Sequence, residues 1–261
     1  MSYGFAFCAF RFSLYYYTLP AIRSTLKYAI RNTNKWRKRK LTKVKVFTNI
    51  LKANDSIAQK NRDIFNKNKV YTINLMSSPG SGKTSLLERT IDSLKNELKI
   101  AVLEGDLQTT NDAERIEKYN IPVTQINTDG ACHLDANMVD GVLGNYNFKE
   151  TDLFVIENVG NLVCPAGFDL GEDDRVVMVS IPEGDDKPVK YPVIFRKASV
   201  VLINKTDLLA YTNFNIAKIK KDSLNINPNL KIFEISCKTG EGLDNWFDWL
   251  REQVRKKRDE N

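Results

Sequence analysis

The stretch Val70–Thr84 constrains the fold more than any other part of the chain. Val70-Tyr-Thr-Ile-Asn-Leu-Met76 is a β-rich run that ends in Ser77-Ser-Pro-Gly-Ser-Gly-Lys-Thr84, and a helical pattern from Ser85 to Leu98 follows at once. A strand that turns through Gly80 and Gly82 into a helix curls its backbone so that N–H groups point inward, where phosphate oxygens fit. Gly80, Ser81, Gly82, Lys83, Thr84 and Ser85 are therefore candidate nucleotide-binding residues. Lys83 is placed to reach the β- and γ-phosphates, and the Thr84 hydroxyl to ligate Mg²⁺. The pattern begins with Ser77 rather than Gly, so the strict Walker A form is broken; the intact Gly-Lys-Thr and its strand–helix setting compensate. A plain glycine-rich turn would leave the lysine unexplained.

Further apolar runs recur at 100–103, 123–126, 153–156, 176–181, 200–203 and 232–235, mostly separated by helix-length polar or amphipathic segments. That alternation predicts an α/β fold, a P-loop NTPase with a mostly parallel sheet flanked by helices. Upstream, Ile50, Leu51, Ile57, Ala58 and Phe65 fall at helical spacing and predict an amphipathic helix over 42–68, leading into a nucleotide-binding domain over 69–261. At the other end, Trp246, Phe247, Trp249 and Leu250 predict a packed helix from Leu243 to Arg255.

Charge divides the chain unevenly. The net charge is +7, yet the first acidic residue is Asp55, and the 12 Lys and Arg before it are unopposed. Residues 55–261 carry 27 basic and 32 acidic groups, so the bulk is mildly acidic and nucleic acid is not an expected partner. Residues 1–41 are aromatic, apolar and then basic, ending in Trp36-Arg-Lys-Arg-Lys40. Arg11 interrupts the apolar part, which is too broken for a spanning helix, and no secretory signal pattern is present. The segment reads as a tail or an upstream extension outside the folded unit, with an organelle transit peptide and membrane attachment as the other readings. The expected location is cytoplasmic. Four cysteines in 261 residues make no disulfide scaffold and point to a reducing compartment.

The base is indicated downstream. Asn204-Lys-Thr-Asp207 follows an apolar run, as an N-K-x-D motif does at a strand end. The Asp207 carboxylate can accept both N1–H and the exocyclic N2–H of guanine, a donor pair that adenine lacks, and burying it unpaired is costly. Ser236-Cys237-Lys238 follows the next run and resembles a base-supporting loop of G proteins. Between these elements, Glu104-Gly-Asp106 and Glu157-Asn-Val-Gly160 end strands, where carboxylates can hold Mg²⁺ and feel the γ-phosphate. Asp106 and Glu157 join Lys83 and Thr84 as catalytic candidates; Asp112 is a candidate for positioning the attacking water.

The only histidine, His133, abuts Cys132, and Cys164 lies just beyond the Glu157–Gly160 turn. Thiolate and imidazole donors suit Ni²⁺ and Zn²⁺ rather than Mg²⁺. Three ligands do not close a structural zinc site, which fits transient holding of a metal or completion by a second subunit. An ordinary packed Cys-His pair is the other reading. Cys237 is expected near the base, and Cys8 lies in the N-terminal tail.

These strings, S-S-P-G-S-G-K-T, E-G-D, G-A-C-H-L-D, I-E-N-V-G-N-L-V-C-P-A, E-G-D-D-K-P-V-K-Y-P and N-K-T-D-L-L, resemble the hydrogenase nickel-incorporation GTPases of HypB type from about Val44 to Arg251. The serine at the first loop position is usual in that family. The resemblance implies a SIMIBI-type G domain that binds and hydrolyses GTP and forms a GTP-dependent homodimer. It implies help in delivering nickel to the large-subunit precursor of nickel–iron (NiFe) hydrogenase, alongside a HypA-type nickel chaperone. It carries metal binding to Cys132, His133 and Cys164, and a reach toward the partner's nucleotide to Lys187 and Lys190. The N-terminal cysteine motif and the histidine-rich segment found in some members are lacking here, so nickel storage is not expected. Two alternatives remain: a urease accessory-type nickel GTPase, whose Cys-Pro-His cluster is missing, and a regulatory GTPase without a metal role.

Overall fold

The computed structural model describes residues 45–106 and 115–259, with side chains from Ile50 onward. The basic aromatic segment 1–41 and the candidate Asp112 lie outside the described residues. The chain divides into two units, 1–48 and 49–261, and the architecture below is that of the second.

Seven strands form one sheet: β1 Tyr71–Ser77, β2 Ile100–Asp106, β3 Val123–Asn127, β4 Leu153–Glu157, β5 Asp174–Ser180, β6 Val200–Asn204 and β7 Lys231–Glu234. Their order is β3-β2-β4-β1-β5-β6-β7, and every pairing is parallel. The inner strands β1, β4 and β6 are buried throughout, as their unbroken apolar runs demand of a sheet covered on both faces. Most strands extend past their apolar runs into polar residues, because the hydrogen-bond ladder continues to the tips. Glu104, Asp106 and Glu157 thus lie within strands, and Glu104 and Glu157 pair in register.

Alternate residues of the strands sort to two faces. On one, Ile73, Leu75, Val155, Val176 and Met178 pack with Ile91 and Leu94 of α2 (Lys83–Leu94). Trp246 and Leu250 of the C-terminal helix Leu243–Asp259 join them there. Trp246 and Trp249 stack with ring centroids 5.2 Å apart, so the aromatic pattern is helix packing. On the other face, Val177, Val179 and Ile203 pack with Ile194 and Phe195, while Leu103 and Phe154 pack with Phe65 and Val139.

Phe65 comes from α1, Lys45–Lys67. The face this helix buries keeps part of the predicted apolar stripe: Ala58 and Phe65 are buried and Leu51 and Ile57 half-buried, but Ile50 is 49% exposed, and Asn54 and Asn61 complete the inner row. The two asparagines of this inner row, Asn54 and Asn61, replace missing apolar contacts with hydrogen bonds. Asn54 donates to Asp169 O at 2.8 Å and accepts from Ala136 N at 2.9 Å. Asn61 donates to Ala136 O and Leu170 O at 3.0 and 3.1 Å. Arg62 adds a fork on Asp169, at 2.7 and 2.8 Å.

Gly171 allows that close docking. Its φ is +98°, and a Cβ there would lie 2.7 Å from Ala58 O and 2.8 Å from Arg62 N. Gly171→Ala is therefore expected to destabilise the fold by roughly 2–4 kcal/mol, combining positive-φ strain with a backbone clash. Urea unfolding followed by circular dichroism checks this; a midpoint equal to that of the wild type would contradict the docking.

Candidate functional site

Parallel strands bring all their carboxyl ends to one edge of the sheet, and the sequence-predicted residues gather there. β1 runs into the loop Ser78–Gly82, and α2 starts at Lys83. Gly80 and Gly82 have φ of +73° and +104°, the left-handed values that curl the loop. Lys83 Nζ donates to Ser77 Oγ at 3.2 Å and lies 4.0 Å from Glu157 Oε1. Thr84 Oγ1 donates to the same Glu157 oxygen at 3.3 Å. A cavity of about 340 Å³ opens here, lined by the loop, by Glu104, Asp106 and Glu157, and by Arg115. Arg115 is held by Glu88 of α2, Nε to Oε1 at 3.0 Å and Nη2 to Oε2 at 2.5 Å.

The second half of the site is a cavity of about 350 Å³ lined by Ser85, Asn204, Lys205, Asp207, Cys237 and Lys238, among others. Asn204, at the tip of β6, fastens the two halves together. Its Nδ2 donates to Ser81 O at 2.8 Å, and its Oδ1 accepts from Cys237 N at 3.1 Å. Lys205 takes a left-handed φ of +65° and donates to Gly80 O at 2.7 Å. Asp207 Oδ1 accepts from Ser236 Oγ at 2.6 Å. Burial pushes the Cys237 thiol up to about 11, which keeps it protonated and inert.

A third cluster sits beside the phosphate cavity. The ligand atoms of Cys132, His133 and Cys164 lie within 4.8 Å of one another, and Cys132 Sγ is 3.6 Å from His133 Nδ1. His133 packs on Phe168 with ring centroids 4.0 Å apart. Burial lowers the His133 pKa, favouring the neutral imidazole that a metal needs; the hydrogen bond between the cysteines raises that of Cys132. The donor set, two sulfurs and an imidazole, is that of a borderline-soft cation.

One segment joins the phosphate cavity to this cluster. Asn158, which lines the phosphate cavity, accepts at Oδ1 from Leu134 N, next to His133, at 3.0 Å. Gly160 lies against the phosphate loop, where an added Cβ would sit 3.0 Å from Pro79 Cα. Asn161 donates to Cys132 O at 3.3 Å and accepts from Cys164 N at 3.4 Å and Val163 N at 2.8 Å.

Sequence reasoning missed Asn158 and Asn161 as linkers, although both stand inside a string it singled out. It also missed Arg115 and Glu183. Glu183 was legible: Ser180-x-x-Glu183 is a capping box, and the same carboxylate accepts from Ser81 Oγ at 2.6 Å, fastening the phosphate loop to the segment after β5. Lys187 and Lys190 pair within their own chain, 3.7 Å from Glu183 and 2.7 Å from Asp186.

Fold and site together define a P-loop nucleotide-binding protein with an adjoining thiol–imidazole cluster. The family model for the CobW/HypB/UreG nucleotide-binding domain matches residues 71–234. Hydrogenase maturation factor HypB of Escherichia coli is 46% identical over 210 residues, spanning 80% of this chain and 72% of that protein. The hydrogenase/urease maturation factor HypB of Helicobacter pylori is 40% identical over 216 residues, spanning 81% and 88%. Two solved structures superpose with TM-scores of 0.74: HypB from Helicobacter pylori in complex with nickel, at 40% identity, and HypB from Archaeoglobus fulgidus, at 45%. Each alignment covers 78% of this chain, and 96% and 100% of those chains respectively. The chain belongs to the HypB family of hydrogenase maturation factors.

Gly82 is where both halves of the nucleotide site touch. An added Cβ would lie 2.6 Å from Asn204 Nδ2, at a φ that side chains rarely adopt. Gly82→Ala is expected to displace Asn204 and lower nucleotide affinity at least ~100-fold while the sheet stays folded. Isothermal titration with GDP checks this, and unchanged affinity would contradict the described loop.

Proposed function

We propose that the protein is a GTP-hydrolysing metallochaperone that assists nickel insertion into the large-subunit precursor of a NiFe hydrogenase. The observation that carries this reading is the single segment Glu157–Cys164, which lines the phosphate cavity at one end and supplies a thiol to the metal-ligand set at the other. The nickel complex of the Helicobacter pylori relative supports nickel as the cargo; Zn²⁺ fits the same donors.

In this reading the N–H groups of Gly80–Ser85 and the amine of Lys83 hold the phosphates of GTP. Asp207 reads the guanine edge, and Asn204, Lys205, Ser236, Cys237 and Lys238 hold the base pocket in shape. Thr84, Asp106 and Glu157 offer hard oxygen donors around one end of the cavity, a set that fits Mg²⁺. Bound there, Mg²⁺ neutralises charge on the phosphate oxygens. Asp112 keeps its proposed part in orienting the attacking water. No arginine is assigned to the γ-phosphate, since Arg115 is paired with Glu88, so the intrinsic rate is expected to be low.

Changes at the phosphate cavity reach the ligands through short contacts. A shift of Glu157–Gly160 is passed through Asn158 to Leu134 and through Asn161 to both cysteine segments, a local change that biases metal holding against release. Val163, Val189 and Val193 leave apolar side chains 62%, 65% and 48% exposed, which is compatible with a second copy docking there; the homodimer is proposed to depend on GTP. A HypA-type nickel chaperone and the hydrogenase precursor are the proposed partners, in the cytoplasm. Among the described residues no helix is long and apolar enough to cross a membrane. Residues 1–41 are read as an extension to helix 42–68 and the GTPase domain 69–261.

Four substitutions test the reading. Lys83→Ala should abolish GTP binding, and retained affinity would refute the phosphate loop. Asp207→Asn should move selectivity from guanine toward xanthine nucleotides. Asn161→Ala, which removes no ligand, should weaken Ni²⁺ binding by ~10–100-fold, as loss of a ligand-orienting partner does. Cys132→Ala should weaken it more. A competitive Ni²⁺ titration ranks the last two; wild-type affinity in both would leave the regulatory-GTPase alternative standing.

A further inference from the structure

The guanidinium of Arg89 bridges the phosphate-side helix and the base loop. Arg89 lies in α2, six residues beyond Lys83. Its Nε donates to Cys237 O at 2.9 Å and its Nη2 to Lys238 O at 3.1 Å, two consecutive carbonyls from a distant part of the chain. No sequence signal marks this residue, which reads as an ordinary polar position in a helix.

The loop's N–H groups show what the grip accomplishes. Ser236 N donates to Glu241 O at 2.9 Å, Thr239 N to Ser236 Oγ at 3.1 Å and Gly240 N to Ser236 O at 2.8 Å. Cys237 N is taken by Asn204 Oδ1. Among the described residues, the Lys238 N–H makes no hydrogen bond to a protein acceptor, and Lys238 lines the base cavity. That N–H and the Cys237 carbonyl belong to one planar trans peptide unit, so they point in opposite directions. A guanidinium that holds the carbonyl from the helix side therefore fixes the plane in which the N–H faces away from it.

We propose that Arg89 is a positioning residue for base selection: its two-pronged hold on Cys237 O and Lys238 O aims the Lys238 N–H at the O6 acceptor of guanine. This rests on the guanine reading above and adds a second selective contact to that of Asp207. At the same edge adenine carries an amino donor in place of O6, so the fixed N–H meets a donor and is left unpaired. Asn204 holds the peptide before and the Ser236–Thr239 bond the turn after. The peptide between them is held by Arg89.

The test is equilibrium binding of GDP, IDP and ADP to the full chain and to Arg89→Ala. GDP and IDP both carry O6, so both affinities should fall by the same factor, about tenfold for loss of a charge-assisted pair of hydrogen bonds, while ADP binding stays as in the wild type. Unchanged GDP and IDP affinities would overturn the proposal. A fall shared equally by ADP would also overturn it, because the effect would then lie on the phosphate side. The Trp246 Nε1 to Thr90 Oγ1 bond at 3.1 Å keeps α2 packed without Arg89. Should Arg89→Ala fail to fold, Arg89→Lys, which keeps the charge but cannot span both carbonyls, must show the same pattern at an intermediate size; wild-type GDP affinity there would count against the proposal. Asp207→Asn, measured in parallel, must lose preference for GDP over XDP. Failure of that arm removes the guanine reading itself, and is separate from failure of the Arg89 arm.

Discussion

A single buried carboxamide joins the elements on which the rest of the site depends. Asn158, 1% exposed, continues the β1–β4 ladder through its backbone N–H to Leu75 O at 2.9 Å. Its side chain donates to Asn74 Oδ1 at 3.2 Å and accepts from Leu134 N and Val159 N, each at 3.0 Å. Satisfied at both ends in a dry setting, such a group holds one geometry, and loss of any partner leaves a costly unpaired atom. The tip of β4, the phosphate loop pressed on Gly160 and the loop carrying His133 are thereby held as one body.

The all-parallel sheet supplies the frame for that body. Phosphate loop, acidic strand tips, N-K-T-D segment and base loop all emerge from the same edge because every strand runs the same way. Asparagine carboxamides then set the distances between these loops, Asn204 between phosphate and base halves and Asn161 between the two cysteine segments. α1 adds support from below, since Asn54 and Asn61 grip both backbone groups of Ala136, just beyond the Cys132–His133 pair. Neutral amides suit these positions because they bridge backbone donors and acceptors without adding charge beside carboxylates, thiolates and phosphates.

Much of this was legible in the sequence, for identifiable reasons. Strand positions followed from apolar runs because the sheet is covered on both faces, and the phosphate loop and N-K-T-D followed from residue types fixed by ligand chemistry. The helical stripe of α1 was legible at Ala58 and Phe65 but incomplete, because Asn54 and Asn61, which read as solvent-facing, carry the rest of its buried contacts. The helix after the phosphate loop starts at Lys83 and stops at Leu94, since the loop glycines lead straight into the first turn and Asn96–Lys99 turn toward β2. Arg89, Asn158 and Asn161 act across 24 to 149 residues of sequence, and single side-chain amides and guanidiniums have no periodicity to betray such reach.

The central claim is that nucleotide state and metal holding are coupled through Glu157–Cys164. Its most direct test is a competitive Ni²⁺ titration of the full chain carrying Mg²⁺ with either GDP or a non-hydrolysable GTP analogue. Coupling predicts stoichiometric Ni²⁺ binding whose affinity differs between the two states by at least about fivefold, the lower end of ordinary coupling energies. Equal Ni²⁺ affinity in both nucleotide states would contradict it.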